Sequence, residues 1–122
     1  DDRIEQYFRA EIQENADGTA QSATSAMAIG QALQGVASEP WLQWVGAVRQ
    51  PTLLLNATGA YGPAGTPALV EPEYAQQTAA AFADVRYVQV PGNHMTMVFG
   101  AAAPVVNAEI ERFVRGDFRP AA

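Results

Sequence analysis

The chain has 122 residues with 13 acidic and 7 basic side chains, giving a net charge of −6, and it contains no cysteine. That length allows one domain or part of one, and the apolar content is enough for a core. The basic residues are all Arg and are scattered. Nucleic acid and anionic membrane, which need clustered cations, are therefore not expected as partners.

Without cysteine there is no disulfide frame and no thiolate metal site, and a reducing, cytoplasmic location is expected. One histidine and no clustered carboxylates leave neither a metal nor another cofactor in prospect. No apolar run approaches the roughly 18 residues of a membrane span, and Asp1-Asp2-Arg3-Ile4 does not open a signal peptide.

Asp1 to Asp17 reads as an amphipathic helix with Ile4, Tyr7, Phe8 and Ile12 on one face and Gly18 as its stop. Ser22 to Gly35 reads as a second helix, capped by Ser22 or Thr24, with an Ala-rich face suited to close helix contact. A short third helix covers Glu39 to Val45 with Pro40 in its first turn. Trp41 and Trp44 share one face of it, as core or as the wall of an apolar pocket, with core favoured.

The pattern changes at Pro51. Thr52-Leu53-Leu54-Leu55-Asn56 is apolar without alternation, as in a parallel strand covered on both faces. A Gly/Pro-rich loop runs from Ala57 to Val70, and Glu71-Pro72-Glu73 opens a helix through Phe82. Asp84 to Val90 is the next strand, giving a strand–helix–strand unit with a crossover long enough for parallel pairing. Ala103-Pro104 starts a final helix, with Val106, Ile110, Phe113 and Val114 on one side and Gly116 as its stop. Asp117 to Ala122 reads as a frayed tail. Two buried strands with two helices do not complete a sheet, so further strands are expected from other polypeptide.

Ligand and catalytic groups gather beyond the carboxyl ends of parallel strands, where the 57–70 loop and the loop carrying His94 meet. An imidazole there suits a general base, although Pro91-Gly92-Asn93 is also ordinary turn chemistry in which a histidine simply packs. No G-x-S-x-G elbow supplies a nucleophile, and Ser22, Ser25 and Ser38 lie in helical or loop context far upstream. Asp84 falls at the wrong end of its strand. Only Glu71 and Glu73 could approach His94 as its acid, and both read better as residues favoured by a helix N-terminus. Gly59-Ala60-Tyr61-Gly62-Pro63-Ala64-Gly65 follows a strand but has neither phosphate-loop spacing, so it reads as a flexible rim or turn.

The order Pro51-Thr-Leu-Leu-Leu-Asn56, loop and helix, Val88-Gln-Val-Pro-Gly-Asn-His94, then a helix ending Ile110-Glu-Arg-Phe-Val114 resembles the C-terminal part of an α/β-hydrolase. Val90-Pro-Gly-Asn-His-Met-Thr-Met-Val98 is similar to the histidine segment of thioesterase domains from modular polyketide synthases. The likeness spans roughly residues 48–115. It implies an α/β fold in which residues 1–46 are lid or cap helices and residues 47–122 are an incomplete hydrolase core. His94 would be the triad base, and Trp41, Trp44, Met95 and Met97 would lie around an acyl pocket.

The chemistry implied is serine-dependent acyl transfer on a thioester or ester, with the serine and acid supplied by the remaining N-terminal portion. The 57–70 loop has no Asp, and by the polyketide-enzyme pattern the acid belongs to an earlier strand. The helix over 72–82 makes the segment longer than that pattern. The other readings are a non-catalytic hydrolase-like accessory subunit, or ester, lactone or epoxide hydrolysis on the same scaffold.

Overall fold

The computed structural model describes residues 2–117. It combines helices with a small parallel sheet, an α/β arrangement, and divides into two compact units, up to Trp41 and from Leu42 onward. Among the described residues no helix is long and apolar enough to cross a membrane.

In the first unit, α1 (Asp2–Ala10) is followed by an antiparallel hairpin of β1 (Ile12–Glu14) and β2 (Ala20–Ser22). The helix expected to run to Asp17 therefore stops at Ala10. Local turn chemistry is the cause. Asn15 N–H donates to the Thr19 carbonyl at 2.8 Å, and Gly18 takes a left-handed φ of +82°. The Asp17 carboxylate accepts from both the N–H and the hydroxyl of Thr19, which holds its pKa below the ordinary value.

The second helix, α2 (Ala26–Ser38), is capped by Ser25, whose Oγ accepts from Ala28 N–H at 3.3 Å. The two expected caps are used elsewhere: Ser22 Oγ accepts from Thr24 N–H, and Thr24 Oγ1 donates to Glu11. Gly35 does not end α2. It ends before Pro40, which forces Glu39 into extended backbone. Within the first unit the close contact expected of its Ala-rich face is not seen among the described residues, since α2 buries no residue and a Cβ on Gly30 or Gly35 would meet nothing within 4 Å.

The division between the units falls inside α3 (Trp41–Ala47). In the second unit, β3 (Thr52–Ala57) pairs in parallel with β4 (Val85–Val90), with Leu55 opposite Val88 and Ala57 opposite Val90. The crossover contains α4 (Pro72–Ala81), with its proline in the first turn. After β4 come α5 (Thr96–Phe99), a short helix that the sequence pattern did not indicate, and α6 (Ala103–Arg115). Gly116, at φ +77°, closes α6 by donating its N–H to the carbonyls of Arg112 and Phe113. Of the expected frayed tail, Phe118 to Ala122 lie outside the described residues.

The apolar core of this unit is Ala75, Ala79, Val90, Ala102, Ala103 and Val106. Full burial of both strands, as expected from their composition, is not observed. Leu53, Leu54 and Leu55 are only half-buried, because α4 and α6 cover part of a two-stranded sheet. Glu109 on α6 is nearly buried and binds Arg86 of β4 through Oε2 at 2.7 Å and Arg112 through Oε1 at 3.0 Å. The Arg86 hydrogen bond is the main reason its carboxyl titrates below the ordinary range.

Candidate functional site

Two loops leave the carboxyl ends of the parallel strands and are fastened to each other. Thr58 N–H donates to the Val90 carbonyl at 3.1 Å, and Gly59 N–H donates to the Gly92 carbonyl at 2.7 Å. The approach at Gly59 requires glycine, because a Cβ there would lie 2.7 Å from the Gly92 carbonyl carbon. Gly92 has φ +83°, and a Cβ on it would lie 2.5 Å from Thr96 Oγ1. These glycines set the platform on which His94 sits.

Beyond Gly92 the chain enters a helical turn closed at both ends. Asn93 Oδ1 accepts from the N–H groups of Met95 at 3.0 Å and Thr96 at 2.9 Å, while Asn93 N–H donates to Thr96 Oγ1 at 2.8 Å. Side chain and backbone thus satisfy each other reciprocally across three residues, the logic of a capping box with threonine in the acidic position. Asn93-His94-Met95-Thr96 carries that signal in its spacing.

His94 lies inside this turn. Its ring stacks obliquely on Tyr61 of the opposite loop, with centroids 5.0 Å apart and planes at 33°. Its Nδ1 is buried and has no hydrogen-bond partner among the described residues. The ring also lines a largely apolar cavity of about 290 Å³, walled by Leu54, Leu55, Leu69, Val70 and Met97, with Asn56 and Thr78 as polar members.

Asn56, 5% exposed at the end of β3, was not singled out by its sequence context. Its Nδ2 donates to the Val70 carbonyl at 2.9 Å, and its Oδ1 accepts from Tyr87 Oη at 3.0 Å, which accepts in turn from Gln89. The buried amide is therefore satisfied, and it ties the far end of the 57–70 loop back to the strand.

Of the expected pocket residues, Met97 lines the cavity beside His94, whereas Met95 is half-buried and is not in its wall. Trp41 and Trp44 are each 47% exposed, so neither is core, and Trp44 does not line the cavity. Trp41 belongs to the first unit, where its Nε1 donates to the Val36 carbonyl at 2.8 Å.

Glu71 is exposed at the start of α4, where its carbonyl accepts from Tyr74 and Ala75. Its carboxylate is not the partner of His94 Nδ1. Asp84 is at the amino end of β4, its carbonyl accepting from Thr52 N–H. Ser22, Ser25 and Ser38 are in local turn, cap and helix-end hydrogen bonds. Among the described residues no group of three or more His, Asp or Glu could hold a metal ion.

Comparison with known proteins adds no relative: no protein-family model, no curated protein and no solved structure matches the chain.

Proposed function

We propose that the chain is the histidine-bearing part of a serine α/β-hydrolase, thioesterase-like, acting on acyl thioesters or esters through an acyl-enzyme. The observation that carries this reading is the placement of His94, beyond the carboxyl ends of two parallel strands, on an apolar cavity, with a buried Nδ1 that no described residue engages. A buried polar atom left without a partner costs about 1–3 kcal/mol. In a triad that nitrogen donates to an acid, which here would belong, with the serine, to polypeptide outside residues 1–122; because Nδ1 is covered within this chain, that acid would reach it only with the covering side chains moved aside. The half-buried leucines of β3 suit a sheet that continues there.

In the mechanism, His94 takes the serine proton as the hydroxyl attacks the carbonyl, gives it to the departing thiol or alcohol, and then activates water or a substrate hydroxyl. The apolar wall of Leu54, Leu55, Leu69 and Val70 suits the acyl chain. Residues 1–46 would act as the lid, and the complete enzyme would work in the cytoplasm without a cofactor.

In the complete enzyme, His94→Ala should abolish fluorophosphonate labelling and reduce turnover by about 10⁴-fold. Near-normal turnover would remove His94 from the triad.

A second reading, a non-catalytic accessory subunit, draws on the exposed Met27, Leu33 and Val36 of α2. Absence of fluorophosphonate labelling in the unsubstituted complete protein would favour it.

A further inference from the structure

We propose that Tyr61 is a positioning residue for His94, its ring holding the imidazole in the orientation that proton transfer needs; the inference rests on the hydrolase reading above. The backbone of His94 is fixed by the Asn93–Thr96 cap, but a cap does not fix the ring. Rotation about the terminal sp³–sp² torsion is broad, so an imidazole is held by hydrogen bonds or by packing. Among the described residues nothing hydrogen-bonds His94 Nδ1, so this chain's own hold on the ring is packing, beside whatever the acid of the hydrolase reading adds in the complete enzyme. The ring against it is Tyr61, 5.0 Å away and tilted by 33°, within the range of offset aromatic pairs.

Tyr61 is suited to this because its loop is locked at several points. Its N–H donates to the Pro67 carbonyl at 2.9 Å. Gly62 N–H donates to Thr66 Oγ1, which donates to the Pro63 carbonyl, so the tip is cross-braced. One end of the loop is fastened at Gly59 to Gly92, two residues before the imidazole, and the other at Val70 to buried Asn56. The loop and the histidine turn thus share a base, and the Tyr61 ring is referenced to the same platform as His94. The Tyr61 hydroxyl makes no hydrogen bond among the described residues, so its removal leaves the ring to stack on His94 as before.

The test compares Tyr61→Phe, Tyr61→Leu and His94→Ala in the complete enzyme. Phe should keep kcat within about twofold, while Leu should lower kcat by about ten- to a hundredfold with KM nearly unchanged. A Leu variant with normal kcat, or with only a raised KM, would overturn the inference. So would a Phe variant that falls as far as Leu, since the hydroxyl would then be the acting group. The imidazole proton signals of His94 provide a readout independent of turnover. They should carry an aromatic ring-current shift in the unsubstituted and Phe proteins and lose it in the Leu protein. Signals unmoved by Leu would also overturn the inference. Full activity of His94→Ala would remove the hydrolase reading and this inference with it, whereas an inactive His94→Ala beside a normal Tyr61→Leu would remove this inference alone.

Discussion

The two units of this chain are held together by different means. From Asp2 to Trp41 no described residue is buried, and structure comes from a hairpin ladder, an Asp17–Thr19 turn, the Ser25 cap and an exposed Arg9–Glu5 pair. From Leu42 onward the strands, α4 and α6 enclose a small core, a buried amide and a part-buried ion pair. Local hydrogen bonds give the first unit its shape, and packing between residues distant in sequence gives the second its shape and its candidate site. Burial makes substitutions costly, so the second unit should be far more sensitive to them.

The sharpest probe of that contrast is Gly59→Val. It forces side-chain atoms into the Gly92 backbone and should destabilise the second unit by about 3 kcal/mol, read from denaturant midpoints. Val90→Ala, at a side chain only 1% exposed, should cost about 2 kcal/mol. Met27→Ala, at 74% exposure, should cost under about 0.5 kcal/mol. Equal costs at Val90 and Met27 would break the comparison.

The smallest effect is on pH dependence. The folded pKa of Glu109 lies below its ordinary value because Arg86 hydrogen-bonds the ionised form. Its stabilisation is therefore fully present above the ordinary carboxylate range and is lost as pH falls through the lowered folded pKa. Glu109→Gln should flatten that acid-side loss in melts of the second unit. Asp17, lowered chiefly by the Thr19 hydroxyl, has the same sign but acts on the hairpin alone.

Much of the second unit is legible in the sequence. The apolar run at 52–56, Pro72 at a helix start, the β-rich run ending at Val90 and the Gly116 stop all lie where expected, because each is written in a short window of sequence. The first unit is less legible for a related reason. A helical periodicity through Ile12 outweighed Asn15-Ala16-Asp17-Gly18, whose side-chain hydrogen bonds and positive φ favour a turn.

By itself the sequence determined the order of strand, helix, strand and helix, and put the lone imidazole on the loop after β4. Its local patterns of apolarity, proline and glycine suffice for that. The tertiary structure decided what surrounds the imidazole: the burial of Asn56, its bond to Tyr87 across 31 residues, the meeting of Gly59 with Gly92 and the Tyr61 ring on His94. Those contacts join segments far apart in the chain, and they exist only once parallel pairing of β3 and β4 brings both loops to the same end of the sheet.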